Sequence, residues 1–335
     1  MRIEELGEFG LIDRLVQRLG RPDESVVVGI GDDAAVVQYE AERQVVMTTD
    51  MLVEGVHFRR DTIDDRSLGY KSLAVSISDI AAMGGRPKHA VLSLALPIDL
   101  EVERLEELYS GVQEICSQYG TAVVGGDVVK TPGPFVISVT AVGEVETGRA
   151  LLRSGARPGD LVYLTGTVGG SAAGLDLIES GNSRSLAPEA VADLLRFHQR
   201  PAPQVEAGRI LVATGGCTSA NDVSDGVASE LHEIAKMSGV RLVIEADAIP
   251  LHASVRHYAA ASGKDPLQWA LFGGEDYRLI GTLDPSRLAE VEASFAKAGL
   301  PLVVIGRAEA GQGVVLLRDG ARHELRPRGF NHFGS

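Results

Sequence analysis

Carboxylates recur in this chain directly after glycines or at the expected ends of strands, and that placement calls for cations. Val26-Val27-Val28-Gly29-Ile30-Gly31-Asp32-Asp33-Ala34-Ala35 sets a β-branched run against two glycines and then two adjacent acids. Thr48-Thr49-Asp50 offers two hydroxyls and a carboxylate at the end of a second apolar run, and Gly125-Gly126-Asp127 closes a third. Asp79 falls in the last turn of an expected helix, where an acid opposes the macrodipole unless something cationic compensates. Asn221-Asp222-Val223-Ser224-Asp225-Gly226 and Gly273-Gly274-Glu275-Asp276-Tyr277 add further acids. Such an inventory suits several Mg²⁺ ions bridging protein carboxylates and substrate phosphates. Phosphoryl transfer fits it, because that reaction depends on in-line positioning and charge neutralisation and needs no protein nucleophile. The chain has no G-x-S-x-G elbow, no H-E-x-x-H and no protein-kinase H-R-D or D-F-G set.

Each motif also has a plainer explanation. The stretch from Gly29 to Ala35 reads equally as an ordinary polar turn. Its Gly29, Gly31 and Ala34 also fit a loose dinucleotide fingerprint, with Asp50 near the distance of a ribose-binding acid. That fingerprint demands a helix after the glycines, whereas residues 34–46 read as strand, polar turn and strand, and Asp32 and Asp33 would repel a phosphate without a metal between them. His57 with Arg59 and Arg60 suits an anionic small molecule, and Arg153 could reach a phosphate. The Gly166-Thr167-Val168-Gly169-Gly170 loop before a helix can hold an anion through backbone amides, but tight packing of small residues explains it slightly better. Ser224 or Asp225 can serve as an N-cap, while Asp222 has no capping role to account for it.

The elements expected to carry these residues alternate throughout. The first half reads as a helix over 3–19, strands at 26–28 and 44–49, a loop over 51–64, a helix over 65–83, a strand at 89–96, a helix over 100–118, and strands at 122–124 and 135–143. A Gly- and Arg-rich shift over 144–158 places a domain boundary, giving an N-terminal domain of 1–146 and a C-terminal domain of 147–335. The second half reads as a strand at 161–165, a helix, a break at Arg200-Pro201-Ala202-Pro203 between two helices, a helix over 227–237, a strand at 241–245 and a helix over 252–261. A strand at 278–282, a helix over 285–298 and strands at 303–308 and 314–317 complete it. The class is therefore α/β of the α+β type, with two domains. At 335 residues each domain can bury its own core, and a net charge of −14 argues against a general nucleic-acid binder. No apolar stretch reaches membrane-span length and the N-terminus lacks a signal core, so a cytoplasmic protein without membrane partners is expected. Cys116 and Cys217 lack metal-ligand spacing and read as buried thiols.

Taken in order, several motifs resemble those of bacterial thiamine-monophosphate kinases. They are Gly10-Leu11-Ile12, the stretch from Gly29 to Ala35, the stretch from Thr49 to Phe58, Ser78-Asp79-Ile80-Ala81-Ala82-Met83-Gly84, Gly125-Gly126-Asp127, Arg153-Ser154-Gly155-Ala156, Thr165-Gly166 through Leu175, Arg200-Pro201, Val223-Ser224-Asp225-Gly226, Gly273-Gly274-Glu275-Asp276-Tyr277 and Gly329-Phe330-Asn331-His332-Phe333. The resemblance spans essentially the whole chain. It implies ATP-dependent phosphorylation of thiamine monophosphate to thiamine diphosphate by direct γ-phosphoryl transfer, with several Mg²⁺ ions and, as an additional candidate, a monovalent cation such as K⁺. It also implies the fold of the aminoimidazole-ribonucleotide synthetase superfamily, with N-terminal sheets pairing across a homodimer.

Position by position, the resemblance implies metal ligands at Asp33, Thr48, Thr49, Asp50, Asp79, Asp127, Asp222 and Asp225. ATP contacts would come from Tyr119, Gly126, Asp127, Arg153 and Ser224, and thiamine-phosphate contacts from His57, Glu275 and Phe330. Three departures stand out: Thr48 replaces a common Ser, Arg278 a common Glu and Asn331 a common Asp, while Asp32 is the less certain neighbour of Asp33. The runner-up readings are another synthetase of the superfamily and a Mg-nucleotide-binding protein without turnover. A selenophosphate synthetase would carry an early reactive Cys, and this chain has none before Cys116.

Overall fold

A computed structural model describes residues 14–15, 17–19, 25–28, 36–37, 39–183, 186–327 and 329. The stretch from Gly29 to Ala35, with Asp32 and Asp33, lies outside the described residues, as do Phe330 and Asn331 and most of the helix expected over 3–19. The chain forms two compact units: Met1–Ile80 with Arg86–Gly148, and Ala81–Gly85 with Arg149–Ser335. The architecture is mixed α/β in both.

The first unit begins with a short antiparallel pair, β1 (Val26–Val28) and β2 (Val36–Val37). Residues 36–37 are thus strand, not the helix a dinucleotide loop requires. A four-stranded sheet follows, built from β3 (Arg43–Val53), β4 (Arg86–Pro97), β5 (Ala122–Thr131) and β6 (Val136–Glu146) in the order β3-β6-β4-β5. Only β4 and β5 run parallel. Between the strands come α1 (Asp65–Ala82) and α2 (Val102–Tyr119). The body of α1 is buried on nearly every side, which accounts for its small residues and weak amphipathic pattern. Leu73, Ile77 and Ile80 on α1 and Leu92, Ile137 and Val139 on the sheet have at most 1% exposure. Truncating any one to Ala costs roughly 2–5 kcal/mol.

Two expectations for this unit change. The strand carrying Asp50 continues to Val53, and the strand carrying Asp127 continues to Thr131, so both acids are interior strand residues and not strand-end ones. The glycines before Asp127 do not stop the strand. Its pairing with β4 skips Val124, a bulge, and a Cβ on Gly126 would stand 2.1 Å from the Leu92 carbonyl oxygen, so close approach requires glycine there.

The second unit holds a seven-stranded mixed sheet from β7 (Leu161–Leu164), β8 (Cys217–Asp222), β9 (Arg241–Glu245), β10 (Leu279–Leu283), β11 (Val303–Glu309), β12 (Gly313–Arg318) and β13 (Ala321–Glu324). Their order is β13-β12-β9-β11-β7-β10-β8, with β9 and β12 parallel and every other pair antiparallel. The helices are α3 (Gly170–Ser180), α4 (Pro188–Gln199), α5 (Val205–Thr214), α6 (Val227–Ser238), α7 (Ala253–Ser262), α8 (Pro266–Phe272) and α9 (Leu288–Lys297). Strands β8 and β13 and helix α8 are additions to the sequence reading. The largest core cluster of this unit gathers Leu231 and Ile234 of α6 with Val162, Leu164, Leu242, Ile244, Ile280 and Ile305 of the sheet. Among the described residues no helix is long and apolar enough to cross a membrane.

Candidate active site

In the first unit, sheet alternation sorts the expected ligands onto two faces. Side chains two apart on a strand share a face, and those three apart on a helix share a stripe. Thr48 and Asp50 accordingly meet α1: the Thr48 hydroxyl donates to Asp79 Oδ2 at 2.5 Å, and the Ser76 hydroxyl donates to Asp50 Oδ2 at 2.5 Å. Thr49 points to the other face, where its hydroxyl donates to the Val139 carbonyl at 3.1 Å and accepts from Thr140 at 3.2 Å. Asp127 aligns in register with Ser93, Ser138 and Met51, and so shares the open face with Thr49. It is exposed, and Oδ1 accepts from the Val128 amide at 2.9 Å. Thr48, Asp50 and Asp79 are brought together; Thr49 and Asp127 do not join them.

Burial pushes the Asp50 carboxyl upward, with the Ser76 hydrogen bond and the field of His57 acting the other way. His57 accepts the Val53 amide on Nδ1 at 3.0 Å, so its neutral ring carries the proton on Nε2 and offers a donor there. Arg59 and Arg60, expected to serve an anion, each pair with an acid instead: Arg59 with Asp61 at 3.1 Å and Arg60 with Glu54 at 2.5 Å. Tyr119 is the half-buried last residue of α2, and Gly126 is exposed on β5.

The second unit holds its acids in loops between element ends. Asp276 fills the N-terminus of α3, its Oδ2 accepting from the Gly169 amide at 2.6 Å and its Oδ1 from Gly170 at 3.0 Å and Ser171 at 3.2 Å. The Gly-rich loop does bind a carboxylate through backbone amides, and that carboxylate belongs to the protein itself. Burial raises Asp276 to about 6, against the pull of those amides and of Arg278. On either side of it, Glu275 and Tyr277 have φ of 65° and 49°, left-handed values costing roughly 1 kcal/mol each. Their amides donate to Ser224 and Val223 carbonyls at 2.7 and 2.8 Å, which lays this loop along the 223–225 segment. A Cβ on Gly274 would meet the Ser224 carbonyl oxygen at 2.3 Å, so the glycine is there for contact. Glu275 Oε2 lies 3.4 Å from both the Ser171 hydroxyl and the His198 Nδ1 of a buried histidine. A recess beside Asp276 is lined by Thr167, Arg196, Phe197, Arg200 and Arg278, a composition suited to an anion.

Asp222 is buried at the end of β8, and Ser224 and Asp225 follow in the turn before α6. Neither Ser224 nor Asp225 is the N-cap: Gly226 occupies that position, with no side-chain cap bond. Glu230 satisfies the turn instead. Its Oε1 accepts from the Asp225 amide at 3.0 Å and the Ser224 hydroxyl at 3.3 Å, and its Oε2 from Asn221 Nδ2 at 2.5 Å. Asn221 Oδ1 accepts from Arg153 Nε at 3.0 Å. Burial raises Glu230 to about 7. Sequence reasoning missed both Glu230 and Asn221. The available signal was an acid in the first turn of a helix, four residues after Gly226.

Among the described residues no three His, Cys, Asp or Glu side chains gather closely enough to hold a metal ion. The donors that do gather, Thr48, Ser76, Asp50 and Asp79, are all oxygen. That chemistry fits Mg²⁺ and does not fit softer metals.

Residues 31–145 match the family model for "AIR synthase related protein, N-terminal domain", and residues 157–319 match that for the corresponding C-terminal domain. These matches and the two mixed α/β units define the class as an AIR synthase related protein. Within it, the chain is 40% identical to thiamine-monophosphate kinase of Bacillus subtilis (strain 168), covering 98% of this chain and 100% of the relative. It is also 40% identical to that of Aquifex aeolicus (strain VF5), covering 99% and 100%. The chain belongs to the thiamine-monophosphate kinase family. A solved structure described as AaThiL complexed with AMPPCP and TMP has a TM-score of 0.78 at 38% identity, covering 99% of each chain. Hydrogenase maturation protein HypE has a TM-score of 0.75 at 21% identity, covering 96% of this chain and 98% of its own, a likeness of fold alone.

Proposed function

We propose that this chain transfers the γ-phosphoryl of ATP in line to thiamine monophosphate, giving thiamine diphosphate, in the cytosol and with Mg²⁺ as the assisting cation. The observation that carries the reading is the full-length match to thiamine-monophosphate kinases at 40% identity. The bound AMPPCP and TMP of the similar AaThiL structure support the two substrates. Thr48, Asp50 and Asp79 would hold Mg²⁺ in the N-terminal unit, with Asp33 and Asp127 as the remaining candidates there; Asp222 and Asp225 supply carboxylates from the C-terminal unit. When bound, the metal neutralises phosphate charge. Arg153 and Ser224 bind the nucleotide phosphates, with Tyr119 and Gly126 as further nucleotide contacts, and His57, Glu275 and Phe330 orient the vitamin. No general base is called for, because the attacking group is a phosphate oxygen that is largely deprotonated at neutral pH, its second pKa lying near ~6.

We also propose that the open face of the first sheet pairs with a second copy. Val45, Met47, Met51, Val91 and Val129 are exposed on β3, β4 and β5, an apolar set unusual for a solvated face. Sedimentation of the purified chain at the monomer mass would exclude that pairing. The activity is tested by incubating the protein with ATP, Mg²⁺ and thiamine monophosphate: thiamine diphosphate should accumulate with ADP. ATP hydrolysis at the same rate with the vitamin left out would defeat the reading.

A further inference from the structure

Arg153, Asn221, Glu230, Ser224 and Asp225 form one continuous hydrogen-bonded chain within the second unit, and its two middle members have no part in the proposed chemistry. Glu230 and Asn221 are each 3% exposed, so both polar side chains depend on protein partners. The orientation of the Asn221 amide is fixed by chemistry. A guanidinium only donates, so it must face the carbonyl oxygen of Asn221; the carboxylate of Glu230 accepts, so it must face the NH₂. Reversing the amide would set oxygen against carboxylate and NH₂ against guanidinium. Asn221 therefore converts an acceptor, Glu230, into an acceptor that Arg153 can use, and ties Arg153 by Nε alone. Glu230 Oε1 meanwhile binds the turn that presents Ser224 and Asp225.

We propose that Asn221 and Glu230 are positioning residues for the nucleotide: Glu230 sets the Ser224–Asp225 turn directly and, through Asn221, aims the Arg153 guanidinium at a phosphate. The proposal rests on the assignment of Arg153 and Ser224 to ATP. It adds a prediction that the assignment does not contain, namely that a buried amide with no contact to substrate acts on ATP and not on the vitamin. A purely structural role for the pair would lower stability while leaving the two substrates' constants in their original ratio.

The test is a double-mutant cycle in the full chain, read both as KM for each substrate and as affinity for Mg·ATP in an equilibrium binding measurement. Asn221→Ala should raise the ATP KM about 5–10-fold and that for thiamine monophosphate less than about twofold. In an Arg153→Ala background the same change should have almost no further effect on ATP, because the two residues act as one unit. Glu230→Gln, which sets an NH₂ group against the donors it must bind, should raise the ATP KM at least as much. Should that variant fail to fold, the Asn221–Arg153 cycle decides alone. Equal effects of Asn221→Ala in both backgrounds, an unchanged ATP KM in Arg153→Ala, or parallel changes for both substrates would each overturn the proposal. Absence of turnover in the wild-type chain would instead defeat the proposed function, and Mg·ATP affinity would still report on the coupling.

Discussion

The two units hold acids by opposite means. In the first, Asp50 and Asp79 stand on regular elements, and the spacing of strand and helix alone brings them to the Thr48 and Ser76 hydroxyls. In the second, Asp276 is gripped by backbone amides of a helix N-terminus, with left-handed residues shaping the approach, and Glu230 by the Asp225 amide together with the Asn221 side-chain NH₂ and the Ser224 hydroxyl. A carboxylate held by hydroxyls remains open to a cation, whereas one whose oxygens are filled by amides is committed to architecture. The first arrangement is suited to chemistry and the second to holding chemistry in place.

The strongest challenge to this contrast is Asp50→Asn, which should lower turnover by about 10²–10³-fold with an unchanged melting temperature, since a neutral amide is a poor Mg²⁺ ligand. Near wild-type turnover at saturating Mg²⁺ would remove Asp50 from the metal set. Asp276 should behave in the reverse manner, affecting stability. Its pKa is raised to about 6 from an ordinary 3.8, so the folded chain holds the proton more tightly than the unfolded one. The associated stabilisation is complete below about pH 4 and is lost as pH climbs through about 6, a swing of about 3 kcal/mol. Asp276→Asn does not titrate, so the urea-unfolding gap between wild type and variant should shrink by that amount from pH 4 to pH 7. A gap that ignores pH would contradict the burial argument.

A finer division falls between adjacent threonines. Thr48→Val should cost about tenfold in kcat/KM through the lost contact to Asp79, and Thr49→Val less than about twofold, because its hydroxyl serves the opposite face. Equal losses would mean that sheet alternation does not decide which hydroxyl matters. For His57→Ala the expected change is confined to binding: a several-fold rise in KM for thiamine monophosphate at nearly constant kcat. A collapse of kcat alone would place His57 in the chemical step.

Much of the scaffold was legible because it obeys simple periods. The helix of Asp79 follows from its small residues and the glycine stop after it, while the strand leading into Asp50 and the helix after Gly226 follow from apolar spacing. Asp127 shows where this fails. Gly125-Gly126 looks like a strand end, yet the backbone continues because β4 presses so near that only glycine fits, a long-range fact absent from local sequence. Strand β8 was missed because Cys217-Thr218-Ser219-Ala220-Asn221-Asp222 is buried without being apolar. Its Thr218 and Ser219 hydroxyls are satisfied by Thr282 across the sheet at 2.6 and 2.7 Å, a pairing that no single segment announces. Glu230 was hidden for another reason: its partners Asn221, Ser224 and Asp225 lie just upstream, but the path of the turn that folds them back onto the helix is not written in an apolar period.

The carboxylate seated at the start of α3 also acts as a tethered inhibitor of its own anion hole. Being attached to the chain, it presents itself to amides 169–171 at an effective concentration of roughly millimolar or higher. Free phosphate or sulfate must outcompete that built-in occupant to reach those amides. A nucleotide approaching this chain meets a glycine-rich loop that has already been answered.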